Sequence, residues 1–384
     1  MEIFRQDPTD PAFVQNPYPA YDRARAQAGV VWWEDYGMAA AVSHGAVSAV
    51  LKSRNMGRVP LEPVPVAPHT RAFYDIEAHS MLELEPPRHT RLRSLVLRAF
   101  TGRRIRELEP EIRALSEELV AALPTDRAFN LLTEFAQPLP VRIIARLLGV
   151  PEEMAPELLA WSNRMVAMYQ SARSREVEDA ANQAASEFAD FLRGYIEERR
   201  SRPADDLITH LIAAEEEGEK LSTDELISTC ILLLNAGHEA TVHTLGNGVA
   251  AMLSHGVTDV TEPLVEEIMR YDPPLHLFTR WVYDDTEVEG VALPRGTQIA
   301  CLLGAANRDP AAYENPHVFD PSRGSKTHVA FGAGLHFCVG APLARLELRI
   351  GLEELMRNPP KLAEAPRYGD TYHFHGLEAL MVTR

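Results

Sequence analysis

Apolar residues recur every three to four positions along most of this chain, which predicts that it is built mainly from helices. The segments with this spacing are residues 90–100, 103–123, 139–148, 177–200, 223–253 and 262–271. Strand signals are few, and they lie at residues 30–33, 38–42, 287–291 and 298–302, the last two on either side of a Pro294-Arg295-Gly296 turn. We therefore expect a mainly α-helical fold with a small β portion.

The length and composition favour one large domain. The 384 residues, 46% of them hydrophobic, can bury an extensive core, and no linker-like stretch divides the chain convincingly. We expect residues 1–384 to form a single domain and the protein to be a monomer. The formal net charge of -17 argues against nucleic acid or an anionic membrane as the main partner. Without a signal-peptide core or a run of about eighteen apolar residues, the sequence predicts a soluble, cytoplasmic protein.

The longest predicted helix begins with a capping box, in which Ser222 is the N-cap and Glu225 lies three residues later. It is apolar nearly all round, so we expect it to cross the core. Gly237 in its middle costs about 1 kcal/mol relative to alanine, and a buried Glu239 costs more unless it is paired. Such violations of local rules are typical of functional sites, although a kinked helix with a solvated acid is the alternative.

The three cysteines, Cys230, Cys301 and Cys338, are far apart and fit no disulfide or zinc spacing. Cys230 and Cys301 lie among apolar residues and are interpreted as core residues. Cys338 follows a glycine-rich loop and precedes a helix that begins near Val339, whose positive end favours a thiolate. Cys338 is therefore the candidate metal ligand, with a buried free cysteine as the alternative.

The segment from Phe331 to Arg345 resembles the haem-binding signature Phe-Gly-x-Gly-x-His-x-Cys-x-Gly-x-x-Leu-Ala-Arg of the cytochrome P-450 superfamily. The resemblance implies the cytochrome P-450 fold with a single haem domain. It also implies that Cys338 is the axial thiolate ligand of heme b, iron protoporphyrin IX. Phe331 and Gly340 belong to the same signature and are expected to contact the cofactor.

Four further residues are expected to hold the two haem propionates. His89 and Arg93 are i,i+4 neighbours on one helix face, which alone would be typical of a solvated basic surface. The resemblance assigns this pair to a propionate, and it assigns Arg280 and His336 to propionates as well. Cations and strong hydrogen-bond donors are what buried carboxylates require.

Residues 236–241, Ala-Gly-His-Glu-Ala-Thr, resemble the Ala-Gly-x-Glu/Asp-Thr stretch that family members place over the haem. The resemblance implies that Glu239, Ala240 and Thr241 form the catalytic region, with Glu239 as the acid. The family usually has threonine directly after the acid, whereas this chain has Ala240. The usual proton route is therefore in doubt. Some family members with alanine use a substrate hydroxyl and ordered water, which makes substrate-assisted protonation a hypothesis here.

Glu267 and Arg270 resemble the Glu-x-x-Arg motif of the same family. On a helix these side chains are i,i+3 neighbours and can form an ion pair. Arg323 is a candidate third member. Val318 stands where many relatives have arginine, so the identity of the third partner stays open.

The resemblance implies a bacterial haem-thiolate monooxygenase that hydroxylates or epoxidises a small organic substrate, with O2 as co-substrate. Electrons from NAD(P)H would arrive through ferredoxin reductase and ferredoxin, since the chain has no cysteine cluster for an iron–sulfur centre. A peroxide-driven peroxygenase of the same fold and a non-catalytic haem-binding sensor are the alternatives. A ferredoxin-docking patch is predicted from a set of arginines: Arg91, Arg98, Arg103, Arg104, Arg106, Arg345 and Arg349.

The substrate is not identifiable from the sequence. By family position, residues 65–74 and 161–171 are expected among the walls of its pocket. His276 and His373 are interpreted either as polar anchors in that pocket or, equally, as structural histidines.

Overall fold

The structure is a computed structural model that describes residues 1–169, 173–216, 218–323 and 327–384. Helices make up most of the described chain. The α-helices are α1 (Pro11–Gln15), α2 (Tyr18–Gln27), α3 (His44–Lys52), α4 (Arg71–Glu77), α5 (Arg88–Ala99), α6 (Gly102–Glu107), α7 (Glu109–Ala122), α8 (Pro138–Leu148), α9 (Ala155–Val166), α10 (Arg175–Ser201), α11 (Leu207–Ala213), α12 (Thr223–Ser254), α13 (Glu262–Tyr271), α14 (Leu303–Ala306) and α15 (Ala341–Met356).

The β structure is a smaller part of the fold, as the sequence predicts. The strands are β1 (Glu2–Phe4), β2 (Val30–Trp33), β3 (Met38–Ala41), β4 (Met56–Gly57), β5 (Phe129–Asn130), β6 (Glu215–Glu216), β7 (Glu219–Lys220), β8 (Leu277–Val282), β9 (Thr286–Val288), β10 (Val291–Leu293), β11 (Gln298–Leu302), β12 (Lys361–Leu362), β13 (Arg367–Tyr368), β14 (Leu377–Ala379) and β15 (Met381–Thr383). The main sheet has the order β1-β2-β3-β11-β8-β4, and β12-β15-β5 form a second one.

Helix α12 crosses the middle of the helical core. Its first turn has the predicted capping box, in which the Glu225 amide donates to Ser222 Oγ at 3.2 Å and the Ser222 amide donates to Glu225 Oε2 at 2.9 Å. Helices α8, α9, α10, α13 and α15 pack around it. A helix covered on all sides can be apolar all round, which explains its composition. None of the described helices is both long and apolar enough to cross a membrane.

Two predicted elements are wrong in detail. The helix expected over residues 103–123 is divided into α6 and α7 at Leu108, because Pro110 lies in the first turn of α7 and has no amide to continue an earlier helix. The strand expected over residues 287–291 is a hairpin of β9 and β10 that turns at Glu289 and Gly290, with φ values of 47° and 79°. Strand β11 pairs with β8 and β3 instead.

A buried polar network joins the N-terminal helices to the C-terminal strands. Asp272 accepts hydrogen bonds from the Tyr18 hydroxyl on one oxygen, at 2.6 Å, and from the Tyr368 hydroxyl on the other, at 2.5 Å. His276 is fully buried beside it, and its Nδ1 lies 2.7 Å from the Tyr21 hydroxyl. Its Nε2 has no hydrogen-bond partner among the described residues, so His276 is buried but only partly satisfied. The predicted pocket wall at residues 161–171 ends at Gln170 and Ser171, which lie outside the described residues.

Candidate functional site

The loop from Phe331 to Gly340 presents Cys338 at the start of α15. The Cys338 amide donates to the Phe331 carbonyl at 3.0 Å, which closes the loop. Gly334 has a φ of 68°, and a Cβ there would lie 2.4 Å from the Leu51 carbonyl oxygen, so only glycine fits. The glycines of the signature thus hold the loop against α3.

The amides of Gly340 and Ala341 point at the Cys338 sulfur. The side chain is accessible to solvent, yet protein atoms surround the sulfur closely enough that burial raises the pKa of the thiol. The two amides and the positive charges of Arg93 and Arg345 oppose this effect without overcoming it. The helix start therefore favours the thiolate, as the sequence predicts, but by itself it does not outweigh burial. A bound metal ion would supply the missing stabilisation, since a coordinating thiol is deprotonated.

The other two cysteines behave as the sequence predicts. Cys230 and Cys301 are fully buried, and burial raises the pKa of each thiol to about 12. Neither is a candidate for ligation or reaction, because thiols of this kind stay protonated.

His89, Arg93 and His336 lie together beside the Cys338 loop. The rings of His89 and His336 are 4.4 Å apart between centroids, and Arg93 Nη2 donates to the Phe337 carbonyl at 2.7 Å. Burial, aided by the charges of His336 and Arg93, lowers the pKa of His89 to about 4. His89 is only 1% exposed, and its Nδ1 has no hydrogen-bond partner among the residues that the structure describes.

Arg280 is a buried cation on β8. It is 3% exposed, and its Nη1 donates to the Thr279 carbonyl at 2.8 Å. Within the described ranges neither Arg280 nor Arg93 forms an ion pair with a carboxylate. Burial lowers the pKa of both guanidinium groups, which shows that each is incompletely compensated. These residues fit a ligand that brings carboxylates of its own.

His336 has a partner that the sequence does not reveal. Its Nε2 lies 3.1 Å from Glu85 Oε1, and Glu85 Oε1 also accepts from the Arg58 amide at 2.7 Å. Only one ring nitrogen of His336 therefore remains for an external ligand. Phe331 and Gly340 lie where the signature places them: Arg345 stacks 4.6 Å from the Phe331 ring, and Gly340 borders the Cys338 sulfur.

Two charged networks centre on Glu266 and Glu267 of α13. Arg270 is fully buried and donates to both oxygens of Glu267, at 2.7 and 2.8 Å. Arg323 Nε lies 3.3 Å from Glu267, so the candidate third partner is confirmed and Val318 contributes only its carbonyl. Beside this network, Glu266 accepts from Arg345 at 2.6 and 3.0 Å, and His328 Nε2 lies 2.9 Å away from it.

The middle of α12 contains the predicted catalytic residues. Thr241 Oγ1 donates to the Gly237 carbonyl at 2.7 Å, so its proton is used within the helix. Ala240 has no hydroxyl, and Glu239 Oε1 lies 3.0 Å from His243 Nε2. Burial raises the pKa of Glu239, but the hydrogen bond and charge of His243 and the charge of His238 oppose it, and the net direction is down. The i,i+4 spacing from Glu239 is the signal that would have identified His243, which the sequence analysis missed.

The predicted basic patch is largely neutralised. Its arginines form ion pairs: Arg91 with Glu219 and Glu225, Arg103 with Glu107, Arg104 with Asp205, Arg345 with Glu266, and Arg349 with Glu109 and Glu353. Apolar side chains instead stand out near the Cys338 loop. Leu97, Leu335 and Phe337 are 46%, 43% and 39% exposed.

Comparisons with known proteins agree with this site. A family model described as "Cytochrome P450" matches residues 29–257 and 259–358. "Polyketide biosynthesis cytochrome P450 PksS" of Bacillus subtilis (strain 168) is 38% identical over 323 residues, which cover 80% of this chain and 78% of that protein. "Vitamin D(3) 25-hydroxylase" of Pseudonocardia autotrophica is 36% identical, over 97% of this chain and 94% of that protein. A crystal structure of P450BioI in complex with hexadec-9Z-enoic acid ligated acyl carrier protein has a TM-score of 0.91 at 32% identity, covering 97% of this chain and 99% of the other.

Proposed function

The chain belongs to the cytochrome P450 family and is a P450 monooxygenase, and from this premise we propose that it hydroxylates or epoxidises a small organic substrate with electrons from a separate ferredoxin. The family uses heme b, O2 and electrons derived from NAD(P)H through redox partners. The observation that carries the proposal is Cys338, with two amides on its sulfur and the half-buried Arg93 near it, together with the buried Arg280; neither arginine forms an ion pair with a carboxylate in the described residues.

The residues present fit heme b. Cys338 would bind the iron as a thiolate, while Arg93, Arg280, His89 and the free nitrogen of His336 would hold the propionates. Two arginines without a carboxylate partner match two carboxylates on the ligand, because buried opposite charges are stable only when paired. When bound, haem supplies the activation of O2, and the protein supplies the ligand, the protons and the orientation of the substrate.

Proton supply is the step in which this chain departs from its relatives' pattern. Ala240 provides no hydroxyl, and the Thr241 proton is held by the Gly237 carbonyl. Glu239 is then the acid nearest to this position on α12. A hydroxyl of the substrate would complete the route through water, so coupling of electron use to product should depend on the polar groups of the substrate.

The exposed apolar group Leu97, Leu335 and Phe337 supports docking of the electron donor at the Cys338 side. Most arginines of the predicted patch are paired with acids, so the contact would depend less on charge than the sequence suggests. A modest response of the reduction rate to salt is the expected result.

Turnover with ferredoxin, ferredoxin reductase and NAD(P)H tests the proposal. Two relatives are named for polyketide biosynthesis and for vitamin D(3) hydroxylation, which suggests hydroxyl-bearing polyketides and secosteroids as the first compounds to test. Binding of each compound would be detected as the change in the haem absorption spectrum that follows displacement of iron-bound water. Compounds that bind should give oxygenated product, with one atom of 18O from labelled O2.

A peroxide-driven reaction is the second candidate. Ala240 has no hydroxyl and the Thr241 hydroxyl already donates to the Gly237 carbonyl, so the usual proton supply is weakened. Product from hydrogen peroxide at rates well above those with ferredoxin would favour it. Label from 18O2 in the product would instead support the monooxygenase.

A further inference from the structure

A cavity of about 190 Å³ lies against α12 at the position of Glu239 and His243. The end of α9 forms one wall with Asn163, Val166 and Ala167. The C-terminal segment forms the other, through Gly369, Thr371, Phe374, Gly376 and Leu377. The volume is sufficient for several water molecules, and the side chains of Asn163 and Thr371 offer them polar partners.

Glu239 and His243 face this cavity as a hydrogen-bonded pair. Their side chains are 23% and 17% exposed, and the contact of 3.0 Å joins Glu239 Oε1 to His243 Nε2. The other ring nitrogen of His243, Nδ1, is buried and has no hydrogen-bond partner in the described part of the chain. The imidazole packs directly over Gly376, where a Cβ would come within 1.8 Å of His243 Nδ1. The fold therefore makes room for a histidine beside the acid.

We propose that His243 supplies protons to Glu239, and that the pair is the outer part of the proton route, fed by water in this cavity. The inference rests on the proposed function, in which Glu239 is the acid. In the transfer the Nε2–H bond of the imidazolium breaks and an O–H bond forms on Glu239 Oε1, so a charged pair becomes a neutral one. Glu239 gives its proton to the interior, and a proton from solvent, carried through the water in the cavity, returns to His243 Nε2 and restores the imidazolium.

The surroundings of the pair are consistent with this role. Glu239 has a lowered pKa, so it is ionised near neutral pH and needs a neighbour that can hold a proton. In the described part of the chain the other titratable groups close to the pair are His238 on α12 and His375 from the C-terminal segment. Burial lowers the pKa of both, to about 4 for His238. The residues of α9 that line the cavity carry no charge.

His243→Gln is the informative variant, because glutamine can donate to Glu239 but cannot carry a proton. His238→Gln is its matched control, since the His238 ring lies 3.8 Å from Glu239 without a hydrogen bond. Coupling of NAD(P)H use to product would be measured against pH in both variants and in the natural protein.

In His243→Gln coupling should fall about tenfold and lose its dependence on pH, while His238→Gln keeps the natural profile. An unchanged profile in His243→Gln, or an equal loss in both variants at every pH, would overturn the proposal. The second outcome would show a structural role.

Infrared spectra of the resting protein give a readout that needs no turnover, with Glu239→Gln used to assign the carboxyl band. Removal of the His243 charge should move protonation of Glu239 to higher pH in His243→Gln. If the natural protein oxidises no substrate but this shift is present, the proposed function fails and the proton-sharing pair stands. If the shift is absent, the pair itself is refuted.

Discussion

The Glu267–Arg270 pair on α13 and the middle of α12 both lie within the helical core, yet their polar groups are hydrogen-bonded to different extents. Every nitrogen of Arg270 donates, to Glu267 and to the carbonyls of Asn307, Pro316 and Val318. On α12 both ring nitrogens of His238, and one nitrogen of His243, have no hydrogen-bond partner among the described residues. The hydrogen bonds of Arg270 fix backbone, whereas buried groups without such bonds are typical of sites where protons or ligands are exchanged.

The largest effect should come from breaking the Glu267–Arg270 pair. Glu267→Gln leaves the fully buried Arg270 without its counter-ion, which should lower the free energy of unfolding by about 3–5 kcal/mol. Denaturant unfolding monitored by circular dichroism measures it. Glu107→Gln, which breaks an exposed i,i+4 pair with Arg103, is the control and should be nearly neutral. Equal effects in the two variants would remove the distinction between the networks.

Acid should weaken the same region through Glu266. The hydrogen bonds and charges of His328 and Arg345 outweigh burial and lower the pKa of Glu266 to about 2. Because the folded-state pKa lies below the ordinary value of 4.5, the stabilisation is present above that value and is lost as pH falls towards 2. Relative to Glu266→Gln, the natural protein should be more stable by about 3 kcal/mol at neutral pH. A difference that does not shrink near pH 3 would contradict this account.

Arg280 tests whether the uncompensated cations are there for a ligand. In Arg280→Ala a propionate would lose its buried partner, so transfer of haem to a scavenging protein should be about tenfold faster or more. Arg295→Ala, an exposed arginine in the turn before β11, should release haem at the natural rate. Equal release from both variants would mean that Arg280 does not hold the cofactor.

The smallest effect is expected from adding a hydroxyl at position 240 of α12. Ala240→Thr should lower turnover of a substrate that supplies its own hydroxyl by a few-fold, through crowding, and improve the coupling of substrates that lack one. Product formed per NAD(P)H consumed is the measurement. The same ratio for both variants, across both kinds of substrate, would exclude position 240 from proton delivery.

The elements predicted correctly were those with strong local signals. The capping box at Ser222 and the 3.6-residue period are contained in the sequence itself, and α13 has the predicted bounds. Gly237 was interpreted as a sign of function, but it also lies against α8, where a Cβ would be 2.7 Å from Ile144 Cδ1 and would displace the end of that side chain. What the sequence could not show are partners distant along the chain. Glu85 binds His336 across 251 positions, and acids such as Glu266 neutralise the predicted basic patch.

The most direct test of the account is the absorption spectrum of the reduced, carbon monoxide-bound protein. With Cys338 as the thiolate ligand, the spectrum should show the red-shifted band that is specific to thiolate haem. Cys338→Ser should abolish this band, and Cys230→Ala, at a fully buried cysteine, should retain it. A folded, haem-loaded protein without the band, or a Cys338→Ser variant that keeps it, would contradict the assignment of Cys338.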